Sequence, residues 1–229
     1  MKQSNITDDH LAQIVVRSRQ NAAKNPYARE NDMVTASDVT ASPMLADPIR
    51  ALHRYPVTDW AVGMLLCCEE RAHEFTDKPV WLTGFGSCMD SYFLGDRDLT
   101  SNFALTSAAK RAYKMAGIED PKTAFDVVEL SDTCAYQLPM WAEGVGLVDK
   151  GSGGKWIDDN GMDARGVNLS GGMLAGNPIM LGGLARSLEG ILQLRGDAAD
   201  RQIDSAKRAL AHGTTGPAGQ HHAVIILER

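Results

Sequence analysis

Residues 168–183 read NLSGGMLAGNPIMLGG, a glycine-rich turn that runs into an apolar segment. Gly171, Gly172 and Gly176 predict backbone that comes close to a ligand, because no side chain stands in the way. The apolar segment predicts a helix, whose first N–H groups would donate to an oxyanion or phosphate. Asn177 lies at the centre, and its amide can donate to a carbonyl oxygen but cannot take up a proton near neutral pH. A plain turn with Asn177 as a helix cap is the alternative interpretation.

The bulk composition describes a folded acidic chain. It has 229 residues, 44% of them hydrophobic and 23% charged, which is enough to bury a sizeable core. The formal charge of −6, with both signs interspersed, provides no electrostatic footprint for nucleic acid. No apolar run has the length of a membrane helix, and the N-terminus lacks the apolar part of a signal peptide. The four cysteines show neither a disulfide framework nor paired metal spacing. We therefore expect a cytoplasmic protein with free thiols, without membrane contact and without a metal site.

Strands and helices alternate along the chain, which predicts an α/β layered fold. The apolar run at 61–67 allows two interpretations, a buried strand or the beginning of a helix that ends near Phe75. The other predicted elements are a helix capped by Thr7 that ends at 25–26, a short strand at 80–83 that ends in a glycine-broken bend, a helix capped by Thr100 or Ser101 that ends at Gly117, a strand in FDVVELSD, a helix at YQLPMWAEGVGL, a loop over 149–167, a helix from LGGLARSL onward, and two adjacent strands at 206–212 and 223–227.

Two further stretches carry polar groups that are suited to chemistry. ELSDTCAY follows a strand, where α/β proteins place ligands. Cys134 beside a helix N-terminus would have a lowered pKa and act as nucleophile or acid, but a small buried core residue is the interpretation that spacing alone favours. In AHGTTGPAGQHH, His212 ends a strand, while His221 and His222 point to opposite faces of the next one and match no zinc pattern.

Taken in order, these stretches resemble the thiolase superfamily, in particular its sterol-carrier-protein-2-like and archaeal-type members. The resemblance rests on NAAKNPYA, SPMLADP, TDWA, LGDRDLT, AAKRAYKMAGI, FDVVELSD, NLSGGMLAGNP, QLRGDAADRQ and ALAHGTTG. It covers essentially the whole chain, yet it matches only the later part of a thiolase, without the half that carries the acyl-accepting cysteine. It implies a layered helix–sheet–helix fold, with residues 1–79 as the loop region and the end of the N-terminal half and residues 80–229 as the C-terminal domain.

The chain departs from the family at its catalytic motifs. The family's Gly-His-Pro, with its proton-transferring histidine, reads Gly176-Asn177-Pro178 here, and asparagine keeps a hydrogen bond but not the proton transfer. The sterol-carrier His-Asp-Cys-Phe becomes SDTC, so the cysteine is displaced by one residue. The resemblance makes the following residues the candidate catalytic groups: Asn177, Ser131, Asp132, Cys134 and His212. The candidates for the coenzyme site are Ser170, Gly171, Gly172, Gly176, Tyr55 and Trp60, the last within Asp-Trp-Ala where the family has Asp-Gly-Ala.

The resemblance leads to three functional hypotheses. The first is a subunit of a heteromeric enzyme that makes or breaks a carbon–carbon bond beside an acyl-CoA thioester, by acyltransferase, thiolase or retro-aldolase chemistry, with the nucleophilic cysteine on another chain. The second is a catalytically inactive subunit with a structural or regulatory role. The third, ranked last, is a stand-alone acyl-binding protein, because half a thiolase would expose apolar surface. The implied partners are a thiolase N-terminal half or a full thiolase, and a zinc-ribbon/OB-fold protein. Coenzyme A enters as the thioester substrate, and no cofactor is bound permanently.

Overall fold

The computed structural model describes all residues, 1–229. The helices are α1 (Asp8–Ala22), α2 (Ala36–Ala41), α3 (Phe103–Ala116), α4 (Gln137–Gly144), α5 (Gly153–Asp158) and α6 (Gly182–Arg195). The strands are β1 (Met44–Ala46), β2 (Ile49–Arg50), β3 (Trp81–Met89), β4 (Val127–Glu129), β5 (Gly166–Val167), β6 (Arg208–Thr215) and β7 (His221–Glu228). None of the helices is both long and apolar enough to cross a membrane.

The central feature is a five-stranded sheet with the order β3-β7-β6-β4-β5. The strands β3, β7 and β6 are antiparallel neighbours, whereas β4 runs parallel to β6 and to β5. Alternate residues of β7 face opposite sides, so Val224 and Ile226 join the core beneath α1, α3 and α4. Leu227 instead packs with Leu194 of α6. The sheet is therefore covered by helices on both faces, which confirms the predicted α/β layered architecture.

Strand β3 is longer than the sequence predicts. It continues through Gly84 and Gly86, where we expected a bend. A Cβ atom at Gly84 would lie 2.4 Å from the backbone oxygen of Ala112, and one at Gly86 would lie 1.9 Å from that of Ala108. These glycines let α3 approach the strand closely, so they mark helix–sheet packing rather than a break.

Neither interpretation of the apolar run at 61–67 was correct. The segment 60–67 belongs to no helix or strand, and a 3₁₀ turn at Glu69–Glu74 follows it. The side chains of Leu65 and Leu66 are 69% and 74% exposed. Residues 59–67 also form no backbone hydrogen bond outside regular elements. The sequence pattern is that of a buried strand, but this chain supplies no neighbouring strand or covering layer.

Local signals gave mixed results at the ends of elements. Thr7 accepts from the His10 amide and caps α1, and Gly117 is left-handed with φ 65° after α3, both as predicted. The prediction that Thr100 or Ser101 caps α3 was wrong, because Asn102 is the N-cap residue. The loop predicted over 149–167 is also wrong, since it contains α5 and β5. The second error concerns α5 and β5, short elements of six and two residues that local sequence patterns mark only weakly.

Candidate active site

A short extended segment at 54–58 joins the loop after β4 to the glycine-rich loop. The amide of Tyr55 donates to the carbonyl oxygen of Thr133 at 3.1 Å. The amide of Asn177 donates to the carbonyl oxygen of Pro56 at 3.3 Å. Isolated β-bridges pair Arg54 with Cys134 and residue 57 with residue 177. Two stretches that are far apart in sequence are thereby held side by side.

A cavity of about 380 Å³ opens between these loops and the hairpin turn after β6. Its polar side chains are those of Tyr55, Thr133, Gln137, Asn177, Thr214 and Thr215. Gly182 and Gly183, the first two residues of α6, also line it. First-turn N–H groups have no partner within their helix, so this end of α6 adds backbone donors to the wall. The cavity is thus rich in hydrogen-bond donors and contains no formally charged side chain.

Asn177 is the candidate catalytic residue that this cavity contains. The residue is buried, at 4% exposure, and its backbone bonds to Pro56 and Thr58 on the neighbouring segment. Its side-chain Oδ1 is buried without a donor. The cap of α6 is Leu181, so the interpretation of Asn177 as a helix cap was wrong. The orphaned Oδ1 is an acceptor; the amide Nδ2, which is not hydrogen-bonded within the chain either, is the atom that can donate to a ligand in the cavity.

Two glycines of the loop, Gly171 and Gly172, are required by internal packing, so their presence does not by itself indicate an approach to a ligand. Gly171 has φ 94°, and a Cβ atom there would lie 2.8 Å from that of Ala22. Gly172 has φ 69°, and its Cβ would lie 2.5 Å from a carboxylate oxygen of Asp132. At Gly176 a Cβ atom would be 3.5 Å from the Trp60 ring, which is ordinary van der Waals contact, so packing does not require glycine at this position. The loop needs small residues because α1 and Asp132 press against it.

Asp132 is buried beneath the glycine loop and does not line the cavity. Its carboxylate accepts the Met173 amide at 2.6 Å. Burial raises the pKa of Asp132 to about 6, while the Arg186 guanidinium and the Met173 amide favour the charged form. Asp132 therefore shapes the loop from behind.

Glu129 forms a second buried carboxylate site that sequence reasoning missed. Its two oxygens accept from the amide and the hydroxyl of Ser170, at 3.1 and 2.6 Å. Arg186 Nη1 lies 3.3 Å from Oε2. Burial raises the pKa of Glu129 to about 7, although the Arg186 cation opposes this shift. The predicted coenzyme-site residue Ser170 is thus tied to β4.

His212 and Ser131 are fully buried and are not among the residues that line the cavity. The Ser131 hydroxyl donates to the His212 carbonyl oxygen at 2.6 Å, and its amide donates to His212 Nδ1 at 3.3 Å. His212 Nε2 lies 2.9 Å from Nδ1 of His222, and the Trp141 ring meets both imidazoles edge-on. Burial, then the neighbouring His222, lowers the pKa of His212 well below its usual range. This cluster holds the hairpin to the loop after β4.

Cys134 is half-buried and is not among the residues that line the cavity. Burial raises the pKa of its thiol to about 11, which is opposite to the lowered pKa of the less favoured interpretation, a nucleophile or acid. The Tyr136 and Ala135 amides act in the opposite direction without overcoming desolvation. A thiol of this kind is a weak nucleophile.

Trp60 lines a separate and larger cavity, of about 960 Å³. Ser170, Arg186, Leu188 and Leu192 border the same space, which lies between the 57–63 segment and α6. The candidate coenzyme-site residues are therefore divided, with Tyr55 at the smaller cavity and Trp60 and Ser170 at the larger one. Gly171, Gly172 and Gly176 line neither.

Sequence reasoning missed the threonines at 214 and 215, the partner role of His222 and the Glu129–Arg186 pair. Alternation along β7 was a usable signal, because it places His222 on the same face as Val224. No local signal indicates that a hairpin turn reaches the loop that contains Asn177. That contact depends on the order of strands in the sheet.

A family model described as thiolase C-terminal domain-like matches residues 86–229. The chain belongs to the thiolase family. The acetyl-CoA acetyltransferase of Methanothermobacter thermautotrophicus is 36% identical over 94% of this thiolase-family chain and 58% of its own length. Sterol carrier protein 2 of Bos taurus is 29% identical over 93% of this chain and 40% of its own. The match confirms the resemblance, and the chain spans only 58% and 40% of these two curated relatives.

Solved structures show the same fold. The Ltp2-ChsH2(DUF35) aldolase superposes with a TM-score of 0.83 at 18% identity, covering 100% of this thiolase-family chain and 60% of that chain. Human mitochondrial 3-ketoacyl-CoA thiolase superposes with a TM-score of 0.64 at 15% identity. The superposition covers 97% of this chain and 56% of the human chain. The thiolase-like α/β fold is thus confirmed.

Proposed function

We propose that this chain is the thioester-binding subunit of a heteromeric enzyme that makes or breaks a carbon–carbon bond beside an acyl-CoA carbonyl. The nucleophilic cysteine of thiolase chemistry is supplied by a separate thiolase half or thiolase subunit. Residues 1–79 form the loop region and the edge of the N-terminal half, and residues 80–229 form the C-terminal domain. A zinc-ribbon/OB-fold protein is a further candidate partner by family resemblance.

The free amide of Asn177 is the observation that carries the proposal. An amide donor in a cavity without charged side chains is suited to the oxygen of a thioester carbonyl, where negative charge develops during enolate or tetrahedral chemistry. The Thr215 hydroxyl lines the same cavity, whereas the hydroxyls of Thr133 and Thr214 already donate to Gln137 and to the His221 carbonyl oxygen. Donors of this kind stabilise an oxyanion without supplying a nucleophile, which matches a chain whose Cys134 lies outside the cavity.

Three features of the surface support the proposal that a partner chain binds here. The 60–67 segment is apolar and its backbone is unpaired, which suits addition to the edge of a partner's sheet. The half-buried Leu188 and Leu192 of α6 face the 960 Å³ cavity. Arg186 borders it, and its buried Nε has no hydrogen-bond acceptor, whereas Nη1 faces Glu129. Apolar surface and unmatched buried donors are both costly, so an occupant that covers them would stabilise the chain.

The proposal is tested with the chain co-expressed and purified with a complementary thiolase half. The wild-type assembly is given acetoacetyl-CoA and free coenzyme A, and the acyl-CoA products are measured by chromatography with mass spectrometry. The Asn177→Ala assembly should lose about 100-fold in kcat, the usual effect of removing one oxyanion donor. Unchanged turnover in a correctly assembled variant would contradict the proposed role of Asn177.

A catalytically inactive subunit is the second candidate function. It is favoured by Asn177, which stands where the family has its base, and by the burial of Asp132 and His212 away from the cavity. The retained glycines do not argue against it, because core packing alone requires Gly171 and Gly172. If Asn177→Ala leaves turnover unchanged and omission of this chain only destabilises the partner, the structural role is correct.

A further inference from the structure

The 380 Å³ cavity contains one ionisable side chain, that of Tyr55. The other residues that line it are apolar, glycine, hydroxyl or amide residues. Making or breaking a carbon–carbon bond beside a thioester requires a proton to move, and neither threonine nor asparagine transfers protons readily near neutral pH. The phenol of Tyr55 is therefore the group of this chain that is able to transfer one inside the cavity.

The other candidate acids and bases are excluded by their positions. Asp132 is 1% exposed and holds the Met173 amide behind the glycine loop. His212 is buried, with one ring nitrogen facing the Ser131 amide and the other facing His222. Cys134 lies outside the cavity, and burial disfavours its thiolate. A proton-transfer group must reach the reacting atom directly or through one water, and none of these three lines the space where the substrate would lie.

The position of Tyr55 is fixed on both sides. Its amide is bonded to the Thr133 carbonyl oxygen at 3.1 Å, and the next residue, Pro56, accepts the Asn177 amide at 3.3 Å. The Arg54 guanidinium packs over the phenol ring, 5.5 Å from its centroid. Tyr55 and Asn177 therefore lie on adjacent, hydrogen-bonded segments that line one cavity.

We propose that Tyr55 is the catalytic proton-transfer residue of this site and acts together with the Asn177 amide. The inference rests on the proposed function and adds the residue that replaces the family's missing base. As the phenolate, Tyr55 takes a proton from the carbon next to the thioester carbonyl. The electron pair of that C–H bond moves to the carbonyl oxygen, and the resulting enolate is held by Asn177. Returning the proton to the carbon restores both the thioester and the phenolate.

The same residue accounts for cleavage of a β-hydroxyacyl thioester. The phenolate takes the proton of the hydroxyl group, and the carbon–carbon bond between the α and β carbons breaks. The electron pair of that bond forms the enolate, and the β carbon leaves as an aldehyde or ketone. The phenol then protonates the α carbon, which regenerates the phenolate and releases the shortened acyl-CoA. No thiol is needed, which agrees with a cavity in which none is present.

The test measures hydrogen exchange at the α carbon. The wild-type assembly, its Tyr55→Phe variant and a control variant, Tyr92→Phe, are incubated with acetyl-CoA in deuterium oxide, and deuterium uptake is followed by mass spectrometry. Tyr92 is 75% exposed and lies outside the cavity, so its loss of a hydroxyl should leave exchange unchanged. Tyr55→Phe should slow exchange at least about 100-fold, as expected for loss of a general base. Acetyl-CoA binding, measured by calorimetry, should stay within about twofold.

Each other outcome overturns the role of Tyr55 in a distinguishable way. If the wild type and Tyr55→Phe exchange at the same rate, the proposed function stands and Tyr55 is not the proton-transfer residue. If the wild-type assembly neither exchanges deuterium nor converts acyl-CoA, the proposed function fails and Tyr55 fails with it. A further variant, Tyr55→His, places another titratable ring at this position and should recover part of the exchange. Loss of binding in both variants would instead assign Tyr55 to packing.

Discussion

His212 Nε2 lies 2.9 Å from His222 Nδ1, with the two rings stacked 5.2 Å apart inside the protein. The Ser131 amide occupies His212 Nδ1 at 3.3 Å, so the His212 proton must be on Nε2. His222 Nδ1 accepts it, and His222 Nε2 then donates to the Gly219 carbonyl oxygen at 2.8 Å. Both histidines are thereby held neutral in one tautomer, and the turn that walls the cavity is tied to the loop after β4.

The neutral histidine pair predicts acid-sensitive stability. Burial lowers the pKa of His222 from 6.5 to about 4, although its bond to Gly219 acts in the opposite direction. Between these values the unfolded chain binds the proton and the folded chain does not, so stability falls as pH falls from 6.5 towards 4. The gap corresponds to roughly 3 kcal/mol. Asp132, whose folded pKa is raised, acts in the opposite sense, so the effect is measured as a difference between variants.

The measurement compares urea unfolding of the wild type and His222→Gln at several pH values from 7 to 4. The variant should show a shallower loss of stability with acid. His221→Gln is the control, because His221 is on the opposite face of β7 and bonds to Ser87 at 2.7 Å. Equal slopes for the wild type and His222→Gln would contradict the assignment.

Gly172→Ala should destabilise the chain by at least about 2 kcal/mol. The new Cβ would lie 2.5 Å from the Asp132 carboxylate, and φ 69° is costly for alanine. Gly63→Ala is the matched control, since nothing lies within 4 Å of its Cβ position. Chemical denaturation checks the prediction, and equal midpoints for the two variants would rule out tight packing at Gly172.

Leu66→Asp should abolish assembly with the partner half while leaving the isolated chain as stable as the wild type. The side chain is 74% exposed on the unpaired segment, so a charge costs little there until a sheet covers it. Met115→Asp, on α3 and 63% exposed, is the control for an apolar surface residue elsewhere. Co-purification and size-exclusion chromatography provide the measurement. Normal assembly of Leu66→Asp would remove the segment from the interface.

Arg186→Met should cost about 3–5 kcal/mol, because it leaves the Glu129 carboxylate buried without its cation. The double variant Arg186→Met/Glu129→Gln should recover part of that loss, since it removes the unpaired charge as well. Thermal unfolding of the single and double variants measures the coupling. Strictly additive losses would show that the two side chains do not act as a pair.

Much of the fold could be predicted, because helix caps, helical spacing and strand alternation are local signals. Thr7 and Gly117 mark helix ends through hydrogen bonds and a left-handed φ that involve neighbouring residues only. The prediction for the apolar run at 61–67 was wrong because its pattern is that of a buried strand, and this chain contains no strand that pairs with it. The bend predicted at Gly84 and Gly86 was wrong as well. These glycines make room for α3, a helix whose contacting residues lie more than twenty positions away in sequence.

By itself, the order of motifs established the family, the α/β layering and the exchange of histidine for Asn177, since these depend on residue identity and spacing. Only the tertiary structure decided which candidates share a cavity. It set Asn177 beside Tyr55 through the bonds of the 54–58 segment, and it buried Asp132 and His212 outside the cavity. Side-chain direction depends on strand order and on contacts between distant segments, and neither is encoded in any short stretch of sequence.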